Sequence, residues 1–328
     1  MRRMAAGALA MLLWACAGDV TEPEDPVVGL VAPDSVLVDA VRELVRLRAE
    51  LVFASGGREP APGVVWTGCE GGLGELSPEG TLITTGEGEC GVEAAWGDLR
   101  AFVRVVVRRR GVLTLTFDDG WKSARTVALP VLAAEGLIGN VAVLPGTVGW
   151  PAYLTVSDMR ELDAAGWSFV SHTVHHDSLP SVPDDSLEWA IRQPVRWLVD
   201  HDLRTADVLI VPYHAWGQRE RTAVRGSFAA ARGNTVDVFW PEYMAEWRPE
   251  DPYRITAIDA LDLSRSAEGR AQAMDYVERA VDGGFILDLQ FHDIRPEDEA
   301  GFRALIGELA RHADRVRTWS ELYPLDGS

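Results

Sequence analysis

Lysine and histidine are scarce in this chain, and their positions narrow the search for chemistry. Lys122 is the only lysine, and the formal net charge is −19. An acidic surface repels nucleic-acid phosphates and anionic lipid head groups, so nucleic acid and basic-patch adhesion to membranes are excluded as first hypotheses. The 7 histidines all lie at or after His172, which leaves the first half of the chain without an imidazole.

Cysteine is scarce as well, with 3 in the whole chain. Cys69 and Cys90 lie in the half of the chain that has no histidine. A zinc site there would need more ligand residues than these two cysteines. In an exported protein, such a pair predicts a disulfide bond.

The apolar run at residues 5–15 is too short to span a membrane as a helix. Arg2 and Arg3 precede it, as in a signal peptide, and Leu13-Trp14-Ala15-Cys16 resembles a bacterial lipobox. The resemblance implies a signal peptide over residues 1–16, lipidation of Cys16, and a membrane-anchored lipoprotein of the bacterial envelope (periplasm or cell surface), held through its N-terminal lipid only. Ordinary signal cleavage, with Cys16 incidental, is the alternative. The acidic segment 17–26 is typical of a linker.

Residues 27–107 have the short apolar stretches and Gly/Pro turns of an all-β domain. Periodicity alone leaves residues 36–52 open between helix and strand. The order of the pieces, from Val64-Val65-Trp66 to the Val-rich run ending at Val107, resembles a bacterial Ig-like β-sandwich. The resemblance implies a spacer or adhesion module in which Cys69 and Cys90 join neighbouring strands.

After Arg108-Arg109-Arg110, which resembles a surface hinge, short apolar strands alternate with amphipathic helices. The predicted strands are 112–117, 141–144, 167–170, 208–211, 235–240 and 285–291. The predicted helices are 123–135, 158–165, 187–200, 220–232, 270–281 and 297–312. This alternation predicts an α/β domain with a parallel sheet, open or closed into a barrel, and chemistry at the carboxyl ends of its strands.

Two polar clusters follow predicted strands. Adjacent Asp118 and Asp119 repel each other, which favours a bound cation, although an aspartate that caps a helix is the simpler alternative. His172 and His176 are four residues apart and can face one ion. A polar loop of satisfied histidines is the alternative there. A third cluster, Phe291-His292-Asp293, places one more histidine at a strand end.

These motifs together make residues 111–325 resemble the polysaccharide deacetylase (NodB-homology) domain of carbohydrate esterase family 4. They occur in the family's order: Thr-Phe-Asp-Asp-Gly, His-Thr-x-x-His and Phe-His-Asp. The resemblance implies an irregular (β/α) barrel with seven strands. It also implies that Asp119, His172 and His176 bind a divalent metal, commonly zinc and sometimes cobalt or manganese.

The resemblance further assigns the catalytic roles. Asp118 is the general base, His292 is the general acid, and a backbone N–H near Tyr213 helps to stabilise the oxyanion. Thr173 steadies the histidine loop. The chain has no Gly-x-Ser-x-Gly motif to mark a serine nucleophile.

Two positions depart from the family pattern. Ile210 stands where the motif has the arginine that orients the base, so we expect Arg219 or another side chain to replace it. Gln290 stands where a leucine lines the acetate pocket, which predicts a changed acyl or substrate preference. Trp240, with Tyr243 and Trp247, forms either a sugar-stacking wall or a partly buried aromatic loop.

The expected activity is metal-dependent removal of acetyl groups from an N- or O-acetylated glycan at the cell envelope by a monomer. Acetyl ester removal from a plant polymer such as xylan is the second enzyme hypothesis, since the motifs do not separate amides from esters. A non-catalytic glycan-binding lipoprotein is the third. Retention of both Asp118 and His292 argues against that third hypothesis.

Overall fold

The structure, a computed structural model, describes residues 25–38, 43–69, 73–108, 110–235 and 252–325, with the side chains of 234 and 235 left aside. The chain divides into two compact units, Met1–Val107 and Arg108–Ser328. Among the described residues, no helix has the length and apolarity needed to cross a membrane.

The first unit is all-β where it is described. Its strands are β1 (Val27–Val31), β2 (Ser35–Val38), β3 (Leu44–Arg46), β4 (Glu50–Phe53), β5 (Arg58–Pro60), β6 (Val65–Gly68), β7 (Gly74–Leu76), β8 (Thr81–Thr84), β9 (Gly88–Trp96) and β10 (Leu99–Val107). They form three sheets, β1-β4-β5, β2-β10-β9-β6 and β3-β8-β7. The segment that periodicity left open therefore contains strands β2, β3 and β4.

Alternation along the strands sets the core of this unit. On β10, Val103, Val105 and Val107 are buried, whereas Phe102, one position before Val103, is 70% exposed. This alternation is that of a strand with one buried face. Trp66 and Leu82 pack in the same apolar cluster. Cys69 and Cys90 form a disulfide with an S–S distance of 2.06 Å, which joins the end of β6 to β9.

The second unit is a closed barrel of parallel strands. The strands are β11 (Val112–Phe117), β12 (Asn140–Val143), β13 (Ser168–Ser171), β14 (Thr205–Ile210), β15 (Ala230–Thr235), β16 (Ile255–Asp259) and β17 (Ile286–Phe291), paired in sequence order, with β17 closing on β11. The predicted seven-stranded α/β barrel is confirmed. Two details of the prediction were wrong: β16 was missed, and β15 begins inside the predicted helix 220–232.

Helices connect the barrel strands. They are α1 (Leu129–Ala134), α2 (Val156–Ala164), α3 (Asp184–Asp200), α4 (Gln218–Ser227), α5 (Ala260–Ser264), α6 (Ala267–Gly283), α7 (Glu299–Leu309) and α8 (Trp319–Leu322), with a π-helical turn (Ala124–Ala128) before α1. Helix α2 starts at a capping box in which Thr155 and Asp158 satisfy each other's backbone N–H groups. Helix α6 ends at Gly284, whose left-handed φ of 75° closes the last turn.

The two faces of the barrel strands differ in chemistry. On β11, Leu113, Leu115 and Phe117 join the apolar core beneath the helices. The intervening Thr114 and Thr116 face the opposite way and are fully buried, so they lie inside the barrel. Trp319 closes this interior and donates from its Nε1–H to the hydroxyl of Thr116 at 2.9 Å. The barrel interior is therefore polar in part, and its polar layer leads towards the strand ends.

Candidate active site

Three predicted ligand residues meet at the carboxyl ends of β11 and β13. Asp119 Oδ1 lies 3.4 Å from His172 Nε2 and 3.4 Å from His176 Nε2. Two ligand atoms about 2.05 Å from one tetrahedral zinc ion stand about 3.3 Å apart, so both spacings fit an ion between them. Asp119 Oδ1 is also buried without a hydrogen-bond partner, which is costly for a carboxylate that binds no cation. These residues fit a divalent metal.

The histidine side chains are held by the loop after β13. The Nδ1 of His172 contacts the carbonyl oxygen of Ile210 at 2.8 Å, and an N–H there turns the Nε2 lone pair towards Asp119. The Thr173 hydroxyl accepts a hydrogen bond from the Asp177 N–H at 2.9 Å, which is the loop contact expected of it. Thr173 is fully buried, so it steadies the loop and does not line an open pocket.

Left-handed backbone is concentrated around this cluster. Asp119, Thr173, His176, Tyr213 and His214 have φ between 52° and 68°. Such angles cost energy for residues with a Cβ, most of all for a β-branched residue such as Thr173. The surrounding packing must therefore supply the stability that holds these five residues in place.

Electrostatics favours the protonation states that metal binding needs. Burial would raise the pKa of Asp119, but the nearby imidazoles of His172, His176 and His292 hold it well below its usual range. Burial, reinforced by His172, lowers the pKa of His176. A charged Asp119 carboxylate and a neutral His176 imidazole are the forms in which these side chains would bind a divalent cation.

Asp118 is paired with an arginine that the sequence analysis missed. Arg232 of β15 is fully buried, and its Nη2 donates to Asp118 Oδ2 at 2.5 Å. Its Nη1 donates to Gln290 Oε1 at 2.6 Å, and its Nε lies 3.3 Å from Asp288 Oδ2. A buried guanidinium is tolerated because three side chains surround it with acceptors.

Asp288 anchors this arrangement from inside the barrel. The hydroxyls of Thr114 and Thr116 each donate to its Oδ1 at 2.6 Å. Burial raises the pKa of Asp288 to about 6, although the charge of Arg232 works in the opposite direction. The second oxygen of Asp118, Oδ1, is buried and has no hydrogen-bond partner. That oxygen is the one left to accept a proton.

Arg219, the arginine named from the sequence as a replacement, has other partners. It pairs with Asp184 and Glu220 and donates to the carbonyl oxygens of Leu179 and Val182. Its role is to join α4 to the start of α3, so Arg219 is not the substitute, and Arg232 is the other side chain that pairs with Asp118. Ile210 is fully buried in an apolar cluster with Ala230 and Trp319.

His292 lies after β17, beside the cluster of Asp119, His172 and His176. Its Nε2 is 3.2 Å from Gln290 Nε2, and with Asp119 and Trp121 it lines one groove. Asp259, at the end of the missed strand β16, lines the same groove, and burial raises its pKa. Had β16 been recognised in the sequence, Asp259 at its carboxyl end would have been a further candidate site residue near His292.

Aromatic side chains border the cluster on another side. The rings of Trp121 and Tyr153 stack at 4.4 Å, and Trp150 meets Tyr153 edge-on at 6.0 Å. The Nε1–H of Trp121 donates to Asp119 Oδ2 at 3.1 Å. Trp150 is 58% exposed and shares a second groove with the exposed His175.

The remaining predicted residues are Tyr213, Trp240 and Cys16. Tyr213 is 65% exposed at the rim, and its ring meets the His176 ring at 4.3 Å. His214 follows it, and burial together with the charge of Arg232 lowers its pKa to about 4. Trp240 and Cys16 lie outside the described residues.

Comparisons with known proteins agree with the motifs. The family model for polysaccharide deacetylases matches residues 106–226. The Bacillus subtilis (strain 168) protein YxkH, whose name assigns it to the polysaccharide deacetylases, is 34% identical over 62 residues, covering 19% of this chain and 22% of YxkH.

Two solved structures are also similar. The Streptococcus pyogenes deacetylase PplD in complex with acetate has 23% identity, with 40% of this chain and 55% of that chain covered, and a TM-score of 0.34. A family 4 carbohydrate esterase from Streptomyces lividans in complex with acetate has 16% identity, with 63% and 91% covered, and a TM-score of 0.44. The chain thus spans less than two thirds of YxkH and of the PplD chain. The family match supports a polysaccharide deacetylase domain within the barrel unit.

Proposed function

We propose that this protein is a metal-dependent hydrolase that removes acetyl groups from an acetylated glycan. The observation that carries the proposal is the pairing of Asp119, His172 and His176 around one point, with Asp118 next to it. Two histidines and one carboxylate leave coordination positions open for water and substrate. The domain match supplies the substrate class.

Asp119, His172 and His176 would hold the metal, and zinc is the first choice because its usual ligand atoms are imidazole nitrogen and carboxylate oxygen. When bound, such an ion supplies Lewis-acid chemistry: it lowers the pKa of water and polarises an acyl oxygen. The remaining steps belong to side chains of this chain.

Asp118 accepts the proton of the attacking water. Its Oδ2 is held by Arg232, which leaves Oδ1 for that proton. The water oxygen bonds to the acyl carbon, and the bond from that carbon to the sugar nitrogen or oxygen breaks. His292, which lines the same groove as Asp119, donates a proton to the departing atom.

The experiment that tests the proposal measures acetate release from acetylated chito-oligosaccharides and acetylated xylan. The protein is chelated and then reloaded with zinc, cobalt or manganese. We expect acetate only from reloaded protein, with loss of both zinc binding and activity in His176→Gln. His201→Gln is the matched control, because His201 stacks on Trp197 away from the cluster. Zinc binding without acetate from any substrate would contradict the hydrolase and favour a glycan-binding protein.

We also propose that the protein acts outside the cytoplasm as a lipoprotein. The Cys69–Cys90 disulfide supports an oxidising location, and the lipobox-like sequence at Cys16 supports lipid attachment. In cells fed labelled palmitate, the wild-type chain should carry label and Cys16→Ala should not. Equal labelling of the two, or none in either, would contradict the anchor.

A further inference from the structure

Two departures from the deacetylase motifs meet in one buried group of side chains. Ile210 replaces the expected arginine and Gln290 replaces the expected leucine, 80 positions apart in the sequence. In the structure, both positions adjoin Arg232. Ile210 and Arg232 are paired residues on β14 and β15, and Gln290 accepts a hydrogen bond from Arg232.

The pairing of β14 with β15 explains how the arginine can change strands. Paired residues on neighbouring strands point to the same face of the sheet. Ile210 lies among side chains of the barrel interior, and the Arg232 guanidinium reaches Asp118 and Asp288 there. The arginine therefore occurs on β15, the strand next to the one that carries it in the family motif, at the same height along the barrel axis.

Gln290 extends the arrangement from the base to the acid. Since its Oε1 accepts from Arg232, the amide orientation is fixed, and its Nε2–H donates to the lone pair of His292 Nε2 at 3.2 Å. The proton that His292 passes to the departing atom is then the one on its Nδ1. A leucine at this position offers neither group. Asp118, Arg232, Gln290 and His292 thus form one continuous chain of polar contacts.

We propose that Arg232 is the positioning residue of this active site, aiming Asp118 directly and His292 through Gln290. An arginine suits this task because it cannot give up a proton, so it does not compete for the one that Asp118 accepts. Its planar fork also fixes two partners at a set angle, which a lysine ammonium does not do. The inference rests on the proposed hydrolysis, since it assigns a role in that reaction.

The first test is Arg232→Lys in zinc-loaded protein. We expect kcat to fall about 10- to 100-fold, with KM and the zinc dissociation constant nearly unchanged, because only the alignment of the base is lost. Arg219→Met is the control, because Arg219 lies away from Asp118, and its kcat should stay at the wild-type level. Unchanged kcat in Arg232→Lys would overturn the proposal.

A second test exchanges the paired residues. The double variant Ile210→Arg with Arg232→Ile keeps the same two side chains at the same level of the barrel. We expect its kcat to exceed that of Arg232→Ile by about tenfold or more. A folded, zinc-binding exchange variant no more active than Arg232→Ile would overturn the strand-shift argument. If Arg232→Ile does not fold, Arg232→Lys is the reference.

Gln290→Leu tests the branch that leads to His292. Acid catalysis matters for a poor leaving group and little for a good one. We therefore expect a larger loss of kcat on an N-acetylated chito-oligosaccharide than on p-nitrophenyl acetate, whereas Arg232→Lys lowers both. Equal losses on the two substrates in Gln290→Leu would refute the coupling to His292.

One measurement does not depend on hydrolysis. In metal-free protein, the melting temperatures of Arg232→Gln, Asp118→Asn and the double variant form a cycle that reports the direct Arg232–Asp118 interaction. If zinc-loaded wild type releases no acetate from any substrate, the proposed function fails while this cycle still shows coupling. Additive melting shifts would refute the pair itself.

Discussion

The all-β unit and the barrel unit bury polar side chains to very different extents. Among the described residues of the first unit, Thr84 is the only buried side chain of polar or charged type. The barrel unit buries many, and the charged ones nearest the strand ends are Asp118, Arg232 and Asp288. Burying a charge costs free energy that packing does not require. The barrel thus carries a cost in folding free energy near the proposed site that the β unit does not carry.

The largest expected effect comes from removing the base while keeping the shape. Asp118→Asn should lower kcat by about 10²- to 10⁴-fold, because the amide cannot take the proton of the water. Zinc affinity should stay close to that of wild type, since Asp118 is not among the three clustered ligands. Steady-state acetate release and calorimetric zinc titration measure both quantities. A variant with more than a tenth of wild-type kcat would refute this role.

The disulfide variant tests the opposite side of the comparison. Replacing Cys69 and Cys90 by serine opens a link with a sequence separation of 21 residues. Chain-entropy arguments give a loss of about 3 kcal/mol in the unfolding free energy of the β unit. Amide hydrogen exchange of strands β6 and β9 at increasing denaturant should show it, while kcat of the barrel stays constant. A parallel loss of kcat would show that the two units do not behave separately.

Asp288 should leave its mark in the pH dependence of stability. Its folded pKa of about 6 lies above the ordinary aspartate value of 3.8, so the folded state keeps the proton to higher pH than the unfolded state does. The favourable contribution is complete below pH 3.8 and is lost as pH rises towards 6. Between pH 4 and 6, wild type should lose about 2 kcal/mol relative to Asp288→Asn. Metal-free denaturant curves at several pH values test the difference, and parallel profiles would contradict it.

The smallest effect is expected at the exposed aromatic border. Trp150→Ala should raise KM for an acetylated oligosaccharide a few-fold, because a stacked ring contributes about 1 kcal/mol. Activity on p-nitrophenyl acetate should not change, since that substrate has no sugar. Trp189→Ala is the matched control, with a tryptophan 52% exposed on α3. Equal KM changes in the two variants would remove the stacking argument.

The grouping of Asp119, His172 and His176 as candidate metal ligands could be predicted because its signal is local. Asp118 and Asp119 are adjacent, and His172 and His176 lie within five residues, so two short motifs contain most of the site. The fold class followed from the alternation of strands and helices. Both the motifs and the alternation can be recognised in the sequence without knowing which strands are neighbours in the sheet.

Arg232 could not be predicted in the same way. Its partners Asp118 and Gln290 are 114 and 58 residues away. The run Phe228-Ala229-Ala230-Ala231-Arg232 favours a helix by propensity, which is worth less than about 1 kcal/mol per residue and is overridden by pairing in the barrel. The missed strand β16 hid Asp259 for a similar reason. A useful signal was the single arginine between Gly226 and Gly233 in an otherwise apolar stretch.

The residues with left-handed backbone angles around Asp119, His172 and His176 affect how this protein would respond to selection for heat resistance. Glycine at Tyr213 or His214, which are not fully buried as Thr173 is, removes the Cβ that makes their φ angles unfavourable. A screen that scores only survival at high temperature would therefore collect substitutions at these positions, along with harmless ones elsewhere. Each such substitution would make the loop at the rim of the site more flexible. Laboratory evolution of this chain should accordingly be selected on turnover and melting temperature together.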